Sequence, residues 1–144
     1  MENKKKPSIG FIGQGYIGKN YSDDFENRGF NVVRYSAEEV HKLNKEKIKQ
    51  CDIVFIAVPA STTSKGFDDS IIKKALKLIG KNKTAVIKST IPVGKTEELQ
   101  KKNKNIYVLH SPEFLTEATA SYDASHPDRN IIGMPVWNNT HKKK

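Results

Sequence analysis

Cysteine is nearly absent from this chain of 144 residues: Cys51 stands alone, so no internal disulfide can form. That usage fits a reducing cytoplasm. Long apolar runs are missing as well, and no stretch approaches the ~20 residues that a bilayer span needs. The opening MENKKKP carries charge with no apolar region behind it, unlike a secretory signal. A cytoplasmic protein without a membrane partner is therefore expected. The four histidines (His41, His110, His126, His141) lack metal-ligand spacing, so no metal is assigned.

Aromatic residues are also sparse, at 8%, and they do not interleave with the lysines. This bears on the net charge of +9, which by itself would suggest nucleic acid. Six of those charges are terminal (Lys4, Lys5, Lys6, Lys142, Lys143, Lys144), and without them the chain carries +3. The other lysines are spread as KKALK, KNK and KKNK, the pattern of solvated faces. Specific nucleic-acid binding is not expected, although the tails would attract polyanions loosely. The length suits one domain over 1–144, with basic tails at about 1–6 and 138–144.

What the chain does have is an alternation of strands and helices. That order predicts an α/β fold of Rossmann type, a doubly wound, mostly parallel sheet with helices on both faces. SIGFIG reads as a first strand, followed by a helix from about Tyr16 to Arg28 with Ile17, Tyr21 and Phe25 as its apolar stripe. Gly29 should end that helix. FNVVRY is a second strand. AEEVHKLNKEKIKQ reads as a polar helix, or helix and loop, with Val40, Leu43 and Ile48 as its apolar contacts. DIVFIAVP is apolar without a break from Ile53 to Val58, as a strand buried on both faces would be.

Further on, STTSKGF reads as loop and DDSIIKKALKLIG as a capped amphipathic helix. TAVIKST is a strand, KTEELQKK a short helix and NIYVLH another strand. EFLTEATA is expected to be helical, which would set Glu113 and Glu117 on one face. RNIIGMPV would be a last strand.

GQGYIG places Gly13, Gly15 and Gly18 in G-x-G-x-x-G spacing, directly after a strand and at the opening of a helix. Gly13 permits the tight turn, Gly15 lets backbone approach a pyrophosphate, and Gly18 lets the helix pack against the strand. The first N–H groups of the helix then meet the anion. A strand-to-helix turn with no ligand would use the same residues. The Asp or Glu that holds a ribose 2′-hydroxyl in NAD sites is missing, because the second strand ends in Arg34, Tyr35 and Ser36. Ser36 can bond a ribose hydroxyl. Arg34 either meets a 2′-phosphate or faces solvent, and Glu38 or Glu39 can reach back. NAD is the expected cofactor, with NADP left open.

Three separated segments then agree. GFIGQGYIG, VIKSTIPVGKT and SPEFLTEATASYDASHPDRNIIG resemble the nucleotide loop and two signature segments of the UDP-glucose/GDP-mannose dehydrogenases. The likeness runs from about Ile9 to Gly133, and the segment concerned is that family's N-terminal NAD-binding domain. It implies that Gly13, Gly15, Tyr16, Ile17 and Gly18 cradle the dinucleotide, with Ser36, Val58 and Pro59 also facing it. Thr90 would lie near the nicotinamide and help position a water, and Glu113 would handle protons during thioester hydrolysis. Phe114, Leu115 and Glu117 would touch the sugar nucleotide and the cofactor. Each has a plainer alternative: Thr90 capping the IPVG turn, and Glu113 and Glu117 favoured by a helix dipole.

Departures fall on ligand-facing positions: Ser36 for an aspartate, Ala60 for a threonine, Ala118 for a glycine and Lys95 for a threonine. The family reaction uses a cysteine thiolate from a later segment, and Cys51, ahead of the central strand, cannot replace it. The resemblance therefore implies a truncated NAD-binding domain that is not competent alone and takes a nucleotide-sugar substrate. The chain is then either simply a truncated module or one completed by a second chain that supplies the missing domains. The alternative is a non-catalytic dinucleotide- or partner-binding protein.

Overall fold

The computed structural model describes residues 5–143. Five short strands form a parallel sheet in the order β2-β1-β3-β6-β7. They are β1 (Ile9–Ile12), β2 (Val32–Tyr35), β3 (Ile53–Ile56), β6 (Thr84–Ile87) and β7 (Tyr107–His110). Between β3 and β6 the chain makes a small antiparallel hairpin, β4 (Ser61–Thr63) with β5 (Gly66–Asp68). The helices are α1 (Tyr16–Asn27), α2 (Glu39–Lys42), α3 (Lys45–Gln50), α4 (Ser70–Leu76), α5 (Lys95–Lys102), α6 (Ala120–Ser125) and α7 (Asn139–Lys142). The architecture is the expected Rossmann-type α/β arrangement. No described helix is long and apolar enough to cross a membrane.

Strand periodicity sorts the core into two layers. On one face Ile12, Val54, Ile56, Ala85, Ile87 and Val108 pack against Ile48 of α3, Ile72 and Leu76 of α4 and Leu99 of α5. These side chains are almost wholly buried, and each contributes about 1.5–3 kcal/mol by leaving water. The other face carries Phe11 and Phe55, stacked with ring centroids 4.9 Å apart, with Phe25 of α1 against both. Here the cover is thinner. A cavity of about 590 Å³ lies between Phe55, Val86 and Leu109 of the sheet and Ile132 and Met134 of the C-terminal segment.

That cavity explains one difference from the sequence reading. β3 alternates half-buried and buried residues instead of being buried throughout, because Ile53 and Phe55 face the thin side. A second correction concerns Val40 and Leu43, which are 81% and 89% exposed and make no core contact; only Ile48 of that stretch is buried. The segment breaks at Asn44, whose Nδ2 donates to the Arg34 carbonyl at 2.9 Å, and α2 is left as one turn on the surface.

STTSKGF is the β4–β5 hairpin, not loop: Thr63 Oγ1 donates to the Gly66 carbonyl and accepts the Lys65 N–H across its turn. RNIIGMPV forms no strand, only an antiparallel bridge between Gly133 and His110. Nor is EFLTEATA one helix. Residues 113–116 are irregular, Glu117–Thr119 is a 3-10 turn, and α6 begins at Ala120. Glu113 and Glu117 therefore do not share a helix face. Their helix fails to start because Glu113 turns back to accept the N–H groups of Phe114 and Leu115, while Asp123 accepts the Thr116 N–H at 3.0 Å.

Of the two basic tails, residues 1–4 and 144 lie outside the described residues. Lys6 Nζ donates to the Arg28 carbonyl at 2.6 Å. At the other end Asn138 caps α7, and His141 is buried against Tyr107 with Gln100 Oε1 at 3.0 Å, so this stretch is docked.

Candidate functional site: a crevice at the reversal of strand order

The sheet order reverses between β1 and β3, where ligands of open α/β sheets bind beyond the carboxyl ends of the strands. A crevice of about 900 Å³ opens at this point. Its walls bring together Gly13, Gly15, Tyr16 and Ile17 from the turn after β1, Ser36 from the end of β2, and Val58 and Pro59 from the end of β3. Seven of the expected cofactor residues therefore share one surface, and Gly18 lies buried beneath it.

The three glycines differ in what a side chain would meet. Gly13 has φ +96°, and a Cβ there would sit 2.2 Å from the Ala57 carbonyl oxygen. At Gly18 a Cβ would lie 2.0 Å from the Gly13 oxygen. Both positions are closed to any other residue by backbone, which cannot yield cheaply. Gly15 is the opposite, with nothing within 4 Å of its absent Cβ. Gly15 is also the N-cap of α1, no side chain caps that helix, and its first turn has no acidic residue. Open space, uncapped amide groups and the positive end of a 12-residue helix fit a diphosphate.

The network behind this turn was not legible in the sequence. Gln14 Nε2 donates to the Gly13 carbonyl at 3.0 Å and to Ser22 Oγ at 3.1 Å, while its Oε1 accepts from Arg34. Arg34 is neither solvent-facing nor free for a phosphate, because Asp23 and Glu26 hold it at 2.7 and 2.6 Å. Ser36 Oγ lies 3.0 Å from His41 Nδ1 and accepts the Glu38 N–H. Ser89 lines the crevice and fixes the β3 turn by donating to the Val58 carbonyl at 2.7 Å.

Glu113, Phe114 and Leu115 line a separate hollow of about 420 Å³ beside β7, with Tyr21, Lys88 and Arg129. Glu113 is half-buried there, with its side chain largely enclosed. Its Oε1 accepts from Tyr21 Oη at 3.1 Å and from two backbone N–H groups at 2.7 and 2.9 Å. Its Oε2 lies 2.9 Å from Lys88 Nζ, an ion pair without a well-directed hydrogen bond, between side chains 9% and 6% exposed. Burial and then the Glu113 charge push the Tyr21 phenol well above its usual pKa. Phe114 faces the Arg129 guanidinium, 5.6 Å from its ring centre.

Thr90 and Glu117 line neither hollow. Both are exposed, Thr90 three residues beyond β6 and Glu117 at the start of the 3-10 turn. Cys51 lies before β3, at the end of the strand away from the crevice, and burial raises its thiol to about 11. It is no nucleophile at neutral pH.

Fold and crevice together define a Rossmann-type architecture. Comparison with known proteins narrows the class. Residues 40–143 match the model of the UDP-glucose/GDP-mannose dehydrogenase family, NAD binding domain, and the chain belongs to that family. It is 32% identical over 112 residues to a UDP-glucose 6-dehydrogenase of Campylobacter jejuni, covering 71% of this chain and 28% of that protein. With the enzyme of Streptococcus pneumoniae it shares 37% over 93 residues, 61% of this chain and 24% of that one. The chain thus spans about a quarter of the length of these relatives.

Among solved structures, a UDP-glucose dehydrogenase from Pyrobaculum islandicum superposes with TM-score 0.82 at 21% identity, covering 99% of this chain and 44% of that one. A GDP-mannose dehydrogenase from Pseudomonas aeruginosa gives TM-score 0.74 at 18% identity over 94% and 42%. These share the fold. The family match begins after the glycine turn, so the reading of that turn rests on its geometry.

Proposed function

We propose that this chain is the dinucleotide-holding part of a nucleotide-sugar dehydrogenase, with NAD in the crevice between β1 and β3. The observation that carries this reading is Gly15, which opens onto empty space at the uncapped mouth of α1 between two sterically obligatory glycines. In this reading the diphosphate rests on the amide groups of Tyr16, Ile17 and Gly18. The adenosine ribose lies against Ser36, and the nicotinamide side against Val58, Pro59 and Ser89. When bound, the cofactor supplies the hydride acceptor. Thr90 and Glu117, on loops beyond the carboxyl ends of β6 and β7, are the residues proposed to face a nucleotide sugar, with Phe114 and Leu115 beside them.

The chain alone is proposed not to oxidise a sugar alcohol to an acid. That reaction passes through a thiolate, and the one cysteine is buried at the wrong end of β3 with a raised pKa. In this reading the thiol lies outside these 144 residues. Titration of the purified chain with NADH, followed by cofactor fluorescence, is expected to saturate in the micromolar to millimolar range; no binding by several millimolar would overturn the reading. Turnover of UDP-glucose and NAD by the chain alone would overturn the claim of incompetence.

One observation favours a second reading, a dinucleotide-binding protein without chemistry. The Glu113 carboxylate is occupied by Lys88, Tyr21 and two backbone N–H groups, which leaves it no freedom to carry a proton.

A further inference from the structure

The adenosine end of the crevice carries an unusual balance of charge. No carboxylate stands at the end of β2, where Ser36 lines the wall and its hydroxyl is engaged by His41 and the Glu38 N–H. The strand's own cation, Arg34, is neutralised by Asp23 and Glu26. Two other cations line the same crevice: Lys45 at the start of α3 and Lys74 on α4. Asn44, the neighbour of Lys45, is tied to the Arg34 carbonyl, which keeps Lys45 beside the end of β2. Among the described residues neither lysine makes an ion pair, so both ammonium groups are available to an anion in the crevice.

Glu38 is the one carboxylate in the crevice wall, and its side chain is 72% exposed. Lys45 and Lys74 are exposed as well, so solvent screens both signs alike and the count of charges sets the sign of the wall. Two unpaired ammonium groups against one solvated carboxylate leave the wall net positive. A ribose with two free hydroxyls gains little from such a wall. A ribose phosphate gains charge-assisted contacts.

Resting on the proposed dinucleotide site, we infer that the crevice admits the 2′-phosphorylated dinucleotide alongside NAD, with Lys45 and Lys74 as countercharges to the phosphate. The specificity residues are thus on α3 and α4, away from the strand end where sequence reading seeks them.

The test is a fluorescence titration of the full chain with NADPH and with NADH at low and moderate salt. NADPH is expected to bind at least as tightly as NADH at low salt. The variant Lys45→Ala/Lys74→Ala should weaken NADPH about tenfold and NADH less than threefold. Adenosine 2′,5′-bisphosphate should displace NADPH more readily than ADP does. Tighter binding of NADH than NADPH by the unsubstituted chain, or equal losses for both in the variant, would overturn the inference while leaving the dinucleotide site intact. Binding of neither would overturn the site itself, and the inference with it.

Discussion

Two hollows open at the carboxyl ends of the strands, and they differ in how their polar groups are occupied. In the crevice between β1 and β3, the mouth of α1 has no cap, Gly15 faces open space and two lysines lack ion-pair partners. Beside β7, Glu113 accepts from a tyrosine and two amides and pairs with a buried lysine. The first hollow leaves donors for something from outside. In the second, Glu113 binds one segment of chain to another through its Oε1, while its Oε2 meets only the Lys88 charge. Both hollows share their position at the end of a parallel sheet; what separates them is how much hydrogen-bonding capacity is left unused.

The largest effect is expected at the hollow beside β7. Glu113→Ala strands the Lys88 ammonium in a buried setting, and loss of one partner of such a pair costs about 3–5 kcal/mol. Denaturant unfolding should show that loss, and the double change Lys88→Met/Glu113→Leu should recover most of it. A stability change below about 1 kcal/mol for the single variant would mean that the pair is hydrated and the hollow not closed.

Within the glycine turn the two hollows' logic is set side by side. Gly18→Ala drives a methyl into the Gly13 carbonyl and should cost on the order of 3 kcal/mol. Gly15→Ala meets nothing and should move stability by no more than about 0.5 kcal/mol. Its effect should appear instead as about a tenfold loss of NADH affinity. Thermal unfolding and cofactor titration of both variants check this, and equal stability losses would contradict the assignment of Gly15 to the ligand.

The smallest effect is one of pH. Burial, aided by the Lys88 charge and opposed by a hydrogen bond with the Ser89 backbone, lowers the His110 pKa below its usual 6.5. The unfolded chain then takes up a proton first. Stability from the neutral imidazole is present above about pH 6.5 and falls as the pH drops toward the folded value. Asp52 contributes separately. Lys83 and then Ser8 hold its carboxyl at about 2, so its stabilisation is present above about pH 4 and is lost as pH falls toward 2. His110→Gln should flatten the first part of an acid-unfolding profile and Asp52→Asn the second.

Much of this was legible in the chain where the signal is local. The turn Gly13–Gly18 announces itself because backbone crowding acts over a few residues, and α5 follows from an octapeptide with acidic residues in its first turn and basic ones in its last. What failed was long-range. Glu113 lies 92 residues from Tyr21, so no window of sequence could show that its carboxylate was already engaged. The half-covered side of β3 escaped for the same reason, since an unbroken apolar run says nothing about how much chain is available to cover it. Val40 and Leu43 misled in the other direction: apolar residues on a one-turn helix have no layer to enter.

One feature joins the two regions. α1 begins at the crevice and, one turn and a half further on, presents Tyr21 to Glu113. It is a rigid rod with a ligand seat at its tip and a hydrogen-bonded latch along its shaft. Through that one 3.1 Å hydrogen bond the helix that opens at the crevice is tied to the strap from Ser111 to Leu115.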